Sequence, residues 1–244
     1  MAAGAFSEAG RLARTVMRHI TQPKTVAIKG VSVRLPAGAK GAVKDSLYAE
    51  LYERHETGAL SRLLEPGDVV VEAGAAIGFV GLHASKIIDP SQLHLIEANR
   101  DLIAEIEHNF KANGRAAPHI HYGLAAAPGA GETPFRIAQN FWSSSELDRG
   151  ATVRVDTVPA IDVSALFAEA SATVFICDIE GGEFTLLPQL NLSTLRLIIL
   201  EIHDKLADEG QVDALKAHLD QSGFEASEVI AGEVHIYRRR GAGA

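Results

Sequence analysis

Four acidic side chains stand at the ends of short apolar runs. Glu72 closes VVVE, Glu97 closes LHLIE, Asp178 closes VFICD and Glu201 closes LRLIILE. Open parallel sheets bind ligands in the crevice outside the carboxyl ends of their strands. Acids at four such ends predict a negatively lined crevice. Asp178 also opens the run DIEGGE, where Asp178, Glu180 and Glu183 surround Gly181 and Gly182. Carboxylates this close repel unless a positive group sits among them or water solvates them. Glu183 suits, in addition, a helix N-terminus, where the dipole favours an acid. His203 follows Glu201 by two positions, so in extended chain the two face the same way. A histidine there can exchange a proton near neutral pH. Asp178, Glu180, Glu201 and His203 together offer the oxygen and nitrogen ligands a divalent cation accepts, although no spacing fixes a metal.

The turn after Glu72 reads AGAAIG. A dinucleotide fingerprint G-x-G-x-x-G begun at Gly74 needs glycines at 76 and 79, where the chain has Ala76 and Phe79. Glu72 would also repel a pyrophosphate approaching the helix N-terminus. A cationic or zwitterionic ligand is favoured instead. S-adenosylmethionine has this character, with an ammonium and a sulfonium beside its adenosine and no phosphate. Glu72 then attracts the positive end, while Gly74, Ala75 and Gly78 let the backbone come close. Glu97 lies 23 residues after Gly74, with one helix and one strand between, where an acid meets ribose hydroxyls in adenosine-binding sheets.

These residues need a scaffold, and the pattern from Pro66 onward supplies one. β-rich apolar runs alternate with helical spacing, as in a parallel sheet covered by helices, so the class is α/β. Strands are predicted near residues 69–72, 93–97, 119–124, 173–178, 195–201, 224–229 and 234–237, seven in one sheet. Helices are predicted over 78–88, 101–113, 183–190 and 209–222, with Gly114 as a C-terminal cap. Residues 1–60 read as an N-terminal cap and lid: a first helix, the β-like TVAIKGVSVRL and a helical segment around SLYAELYERHETGALSRLL. Residues 61–244 form the ligand-binding domain, with an inserted hairpin over 133–158. Phe141 and Trp142 on that insertion offer aromatic faces to a substrate ring. Arg11, Arg14 and Arg18 lie on an amphipathic first helix, suited to an anionic membrane or a second subunit, with packing on its own domain as the simpler expectation. The tail RRRGAGA is expected to fray, with solvated arginines.

Composition narrows the partners. The chain has 244 residues, 47% hydrophobic and 22% charged, enough for one large domain with a buried core. A formal charge of -8 argues against capture of nucleic-acid backbones and leaves a small-molecule or saccharide partner. Cys177 is the single cysteine, so no intrachain disulfide forms, and a reducing, cytoplasmic setting is expected. As part of an apolar strand it reads as a core thiol. No apolar run approaches the roughly 20 residues of a membrane span.

Taken in order, EPGDVVVEAGAAIG, LIEAN, SSSELDRGATVRVDTVPAIDV, FICDIEGGEFTLLP and LIILEIH resemble the FkbM-type family of S-adenosylmethionine-dependent methyltransferases. The resemblance covers about Tyr52 to His203. It implies a class I, Rossmann-like methyltransferase fold whose seven-stranded sheet is mostly parallel with an antiparallel last strand. It also implies O-methylation of a hydroxyl on a sugar or natural product. Glu72, Gly74, Ala75 and Gly78 match the family's cofactor turn, and Glu97, followed by Ala98, its ribose acid. Asp178, Glu180 and Glu183 match its acidic motif beneath the transferring methyl. Tyr52 and Glu53 match an aromatic-acid pair closing over the cofactor, and Ser144 and Ser145 the serines of the hairpin. The family has Asp at Glu72, Asn at Ala76 and Ala at Gly182. On this reading Asp178, Glu201 and His203 are the candidate catalytic groups, and Phe141, Trp142, Ser144, Ser145, Glu180 and Glu183 meet the acceptor. An NAD-dependent sugar dehydrogenase and a cofactor-binding scaffold without turnover are the alternatives.

Overall fold

The structure, a computed structural model, describes residues 2–138 and 152–241. A 20-residue helix α1 (Ala2–Thr21) leads into the hairpin β1 (Thr25–Ile28) and β2 (Val31–Arg34). Helices α2 (Gly41–Tyr48) and α3 (Arg54–Leu63) follow. The first alternation is β3 (Val70–Ala73), α4 (Phe79–Ala84), β4 (Leu93–Glu97), α5 (Arg100–Ala112) and β5 (His119–Tyr122). Short β6 (Leu124–Ala126) and β9 (Ala160–Asp162) pair in parallel and bracket the antiparallel pair β7 (Thr133–Ala138) and β8 (Thr152–Val158). The chain ends with α6 (Val163–Ala170), β10 (Val174–Cys177), α7 (Glu183–Leu186), β11 (Leu197–Glu201), α8 (Gln211–Gln221), β12 (Phe224–Ile230) and β13 (Val234–Arg239).

All seven expected strands join one sheet, in the order β12-β13-β11-β10-β3-β4-β5. The last strand, β13, runs antiparallel to both neighbours and lies one place in from the edge. The other neighbouring pairs are parallel. The four strands that must bring acids together therefore lie side by side.

Alternation along the strands divides the core into two layers. Val174 and Ile176 pack with Leu95, Leu197 and Ile199 against α4, α5 and the N-terminal hairpin. Phe175 and Cys177 pack with Val71, Ile198 and Leu200 against α6, α7 and α8. Cys177 is buried, as expected of a core thiol. At the opposite end of the sheet from the acids, the buried Asp68 accepts from Arg196 Nε at 2.7 Å, Thr173 Oγ1 at 2.8 Å and the Glu65 amide at 2.7 Å. This network ties the entries of β3, β10 and β11.

Several elements depart from expectation. The helical segment before the sheet is two helices, because Glu50 and Glu53 take left-handed backbone, at φ 60° and 45°. Helix α4 stops at Ala84, where Ser85 Oγ donates to the Leu82 carbonyl. Helix α6 was not foreseen; Asp162 caps it by accepting from the Ala165 amide. The expected fraying of the tail holds neither for Arg239, which donates to the Leu192 and Leu195 carbonyls and lies over Phe224, nor for Arg240, paired with Asp220. Among the described residues no helix is long and apolar enough to cross a membrane.

Candidate functional site

Parallel β3, β4 and β10 all end at the same edge, where Glu97 of β4 and the residues just past β3 and β10, Gly74 and Asp178, open onto a cavity of about 440 Å³. Its walls include Tyr52, Glu53, Gly74, Ala76, Glu97, Ala98, Asp178 and Glu180, all but Ala76 singled out from the sequence as site residues. A second cavity of about 20 Å³ adjoins these residues and is lined by Glu56, Glu72, Ala75 and Phe79 as well as Tyr52, Glu53 and Asp178.

The turn after β3 is built for close approach. The amides of Gly74 and Ala75 both donate to the Ile96 carbonyl at 3.1 Å, and Asp178 N donates to the Ala73 carbonyl. Gly74 has φ +85°, and a Cβ there would fall 1.8 Å from the Asp178 carbonyl oxygen. Gly78 lines neither cavity; a Cβ there would come within 3.0 Å of Ile106 of α5, so its small size serves helix packing. Three non-glycine residues of the cavity wall hold left-handed backbone, Glu53 at φ 45°, Ala76 at 49° and Glu180 at 55°. Strain of this kind persists where the surroundings over-determine it, often at binding sites.

The acids differ in their partners. Glu72 is 3% exposed, and its Oε2 has no hydrogen-bond partner. Burial, then the charge of Glu97, lifts its carboxyl to about 8, tempered by the nearby backbone of Gly81. Glu97 accepts from the amides of Ala76 at 2.7 Å and Asn99 at 2.6 Å. Burial still lifts it to about 7. Burial, then Glu56 and Glu201, pushes Glu53 well above the usual carboxylate range. Burial, then Glu201 and Glu53, does the same to Asp178, whose Oδ1 is also unpartnered.

His203 stands in a ring of four carboxylates. Its Nε2 lies 3.6 Å from Asp178, 3.6 Å from Glu180 and 3.7 Å from Glu201. Its Nδ1 is 3.1 Å from Glu183, which also accepts from the His203 amide at 2.8 Å and, through its other oxygen, from Gly181 N at 2.8 Å. Burial opposes the imidazolium, yet Glu183, Glu180 and Glu201 raise His203 above its ordinary value. Burial likewise opposes the Glu183 carboxylate, and the hydrogen bonds to His203 hold it below the usual range. Glu183, expected to meet the acceptor, is 0% exposed and lines neither cavity; its hydrogen bonds go to His203 and Gly181. Glu201 and His203 line neither cavity and reach the larger one through Asp178 and Glu180. Phe141, Trp142, Ser144 and Ser145 lie outside the described residues.

Other wall residues were not among the site residues read from the sequence. The stretch Leu124–Ala130, with Thr133 and Phe135, closes one side, and Thr185 and Gln189 another. The small-residue run AAAPGA directly after a strand was the available signal. Gly81 was also missed: a Cβ there would come within 3.0 Å of Glu72 Oε2.

No protein-family model and no curated protein matches the sequence. Solved structures do. A Streptococcus mutans protein assigned as an S-adenosylmethionine-dependent methyltransferase superposes with a TM-score of 0.52 at 12% identity, over 88% of this chain and 56% of that one. A methyltransferase from Pyrococcus furiosus gives 0.48 at 14% identity over 95% and 98%. The magnesium protoporphyrin IX methyltransferase of Synechocystis PCC 6803, solved with bound S-adenosylmethionine, gives 0.49 at 13% identity over 82% and 85%. Strand order, the reversed last strand and the Streptococcus likeness agree: the fold is the Rossmann-like class I methyltransferase fold.

Proposed function

We propose that the chain is an S-adenosylmethionine-dependent methyltransferase acting on a hydroxyl of a sugar or natural product. The carrying observation is Glu72, a buried carboxyl with an unpartnered oxygen at the strand-end turn, beside Gly74, whose missing side chain lets Asp178 of the neighbouring strand come close. Burial keeps that carboxyl protonated near neutral pH, and a cationic ligand would draw it into its ionised form. Glu97, with two amides already bound, keeps acceptor capacity for ribose hydroxyls. Tyr52 and Glu53, on the strained link between α2 and α3, close the cavity from above, the role given to the N-terminal cap.

When bound, S-adenosylmethionine supplies an electrophilic methyl on a sulfonium. The chain's task is to align an acceptor oxygen behind that methyl, and alignment of this kind is worth ~7 kcal/mol or more. Glu180 and Asp178 hold the acceptor side of the cavity. His203, fixed by Glu183, receives or orients the hydroxyl proton by way of Asp178, which typically contributes about 10²- to 10⁴-fold. The ligand atoms of Asp178, Glu201 and His203 also lie within 4.8 Å of one another, the observation that favours a divalent cation as an additional requirement. Chelation that leaves turnover intact removes that cation.

The test begins with calorimetry. S-adenosylmethionine binds, and NADH gives neither heat nor a change in its nicotinamide fluorescence, which separates this reading from a sugar dehydrogenase. A labelled-methyl screen of hydroxylated acceptors then finds turnover. His203→Ala lowers kcat by about 10²-fold or more with cofactor affinity intact. Cofactor binding without transfer to any acceptor would leave a scaffold. Unchanged turnover in His203→Ala removes the histidine from the mechanism.

A further inference from the structure

Helix α1 is amphipathic in the reverse of the usual sense. A surface helix ordinarily buries its apolar stripe and solvates its charged face. Here the charged face is turned to the domain. Arg11 donates to the Ala49 carbonyl at 3.1 Å, and Arg18 to the carbonyls of Tyr48 and Ala27, each at 2.8 Å. Arg14 pairs with Glu50 at 2.7 Å and His19 with Asp45 at 2.9 Å. On the other side Leu12, Val16, Met17 and Ile20 are 64%, 53%, 58% and 71% exposed, with Ala9 and Ala13 exposed among them. Positions 9, 13, 16 and 20 are spaced four, three and four apart, the seam by which one helix packs along another.

We propose that this seam is a pairing surface for a second copy of the chain, with α1 lying antiparallel to α1 across a twofold axis. A twofold interface needs a patch complementary to itself, and an uncharged heptad seam satisfies that condition. Glu8 and His19 are 11 residues apart, close to three whole turns, so they share one flank of the seam. In an antiparallel pair equal flanks meet, which brings Glu8 of each chain near His19 of the partner subunit; the His19 ring nitrogens already engage the Thr15 carbonyl and Asp45, so the attraction is between charges and not through a new hydrogen bond. A lipid surface fits less well. Interfacial helices carry free basic residues beside the apolar face, whereas Arg11 and Arg18 are committed to backbone carbonyls of the domain and the chain carries a charge of -8. The helix is about 30 Å long and about 10 Å across, so the seam is well short of the ~800 Å² per partner of a standard stable interface. The pair is therefore weak, with dissociation in the micromolar range.

Sedimentation velocity on the full chain over roughly 1–200 µM tests this. The wild type shows a concentration-dependent monomer–dimer equilibrium. The double variant Val16→Glu, Ile20→Glu stays monomeric, with the dissociation constant raised at least about 100-fold, and melts as the wild type does, because those side chains point away from the domain. Cys177 is buried, so an introduced thiol reports alone. Ala13→Cys, near the axis, cross-links to itself under mild oxidation, and Ile20→Cys does not. A wild type monomeric at the highest concentration, a double variant that still dimerises, or equal cross-linking at both positions overturns the proposal. So does a monomeric wild type that co-sediments with phosphatidylcholine–phosphatidylglycerol vesicles while the double variant does not, which would assign the seam to lipid.

Discussion

Glu72 takes an oxygen with no partner into the interior, beside Gly81 and within the field of Glu97. Its burial costs the empty protein stability and is recovered only when a cation arrives. Glu72→Gln keeps the shape and removes the charge. We predict that at pH 8 it raises the melting temperature of the unliganded protein by a few degrees, about 1 kcal/mol or more, and weakens S-adenosylmethionine binding at least about tenfold. S-adenosylhomocysteine, which lacks the sulfonium charge, loses less. Differential scanning calorimetry and titration calorimetry read the two effects. A variant that melts lower and binds both ligands equally well would show that Glu72 serves the core. The residue was legible in the sequence because an acid is out of place at the end of an apolar strand. Its unpartnered state was not, since that depends on Gly81 across the turn.

At the scale of elements, the strands were legible because each apolar run carries β-branched residues and is bounded by turn-forming residues. The break between α2 and α3 was not. Glu50 and Glu53 have no glycine or proline to announce a left-handed backbone, and Tyr52 reaches the cavity through that break. Helix α6, VSALFAEA, is short and almost wholly apolar or small, so its periodicity gave no signal. Two substitutions test how elements are joined. Gly74→Ala forces a Cβ into the Asp178 carbonyl and a side chain into φ +85°, so it parts β3 from β10 at the site. It costs about 3 kcal/mol or more and abolishes cofactor binding. Arg196→Met acts at the other end, leaving the buried Asp68 with Thr173 and an amide but no counter-charge. We expect a loss of about 2–3 kcal/mol in urea unfolding, tempered by the partial exposure of Arg196, with KM unchanged. A shift in KM would mean that the two ends of the sheet are mechanically coupled.

For the molecule as a whole, the titrating groups set a stability optimum. Glu72 at about 8, with Glu97 and Glu201 at about 7, hold protons in the folded state that the unfolded chain has released. Their stabilising contribution is present at low pH and is lost as pH rises through 7 to 8. His83 and His94 are depressed to about 4, chiefly by burial, so their contribution is present above about 6.5 and is lost as pH falls toward 4. Between about pH 4.5 and 6.5 the three carboxyls lose more than the two histidines gain, so the unliganded protein is most stable at about pH 5, and the alkaline limb is the one that S-adenosylmethionine flattens, because a bound cation would relieve the carboxylates. Thermal melts from about pH 5 to 9, with and without ligand, check both statements. A melting temperature that climbs from about 6.5 to 8.5 without ligand contradicts them.

One amide of α5 reaches further than its size suggests. Asn109 Oδ1 accepts from the Arg34 amide of β2, and its Nδ2 donates to the Ile77 carbonyl inside the ligand turn. The N-terminal ribbon and the loop that would grip the methyl donor are thus two grips on a single side chain. Removing the first 34 residues would strip the oxygen of its donor in a fully buried position, and the disturbance would be felt at the loop, on the far side of that same side chain. The ribbon is therefore a brace for the turn, and a shortened chain would be a poor stand-in for the whole protein in any binding measurement.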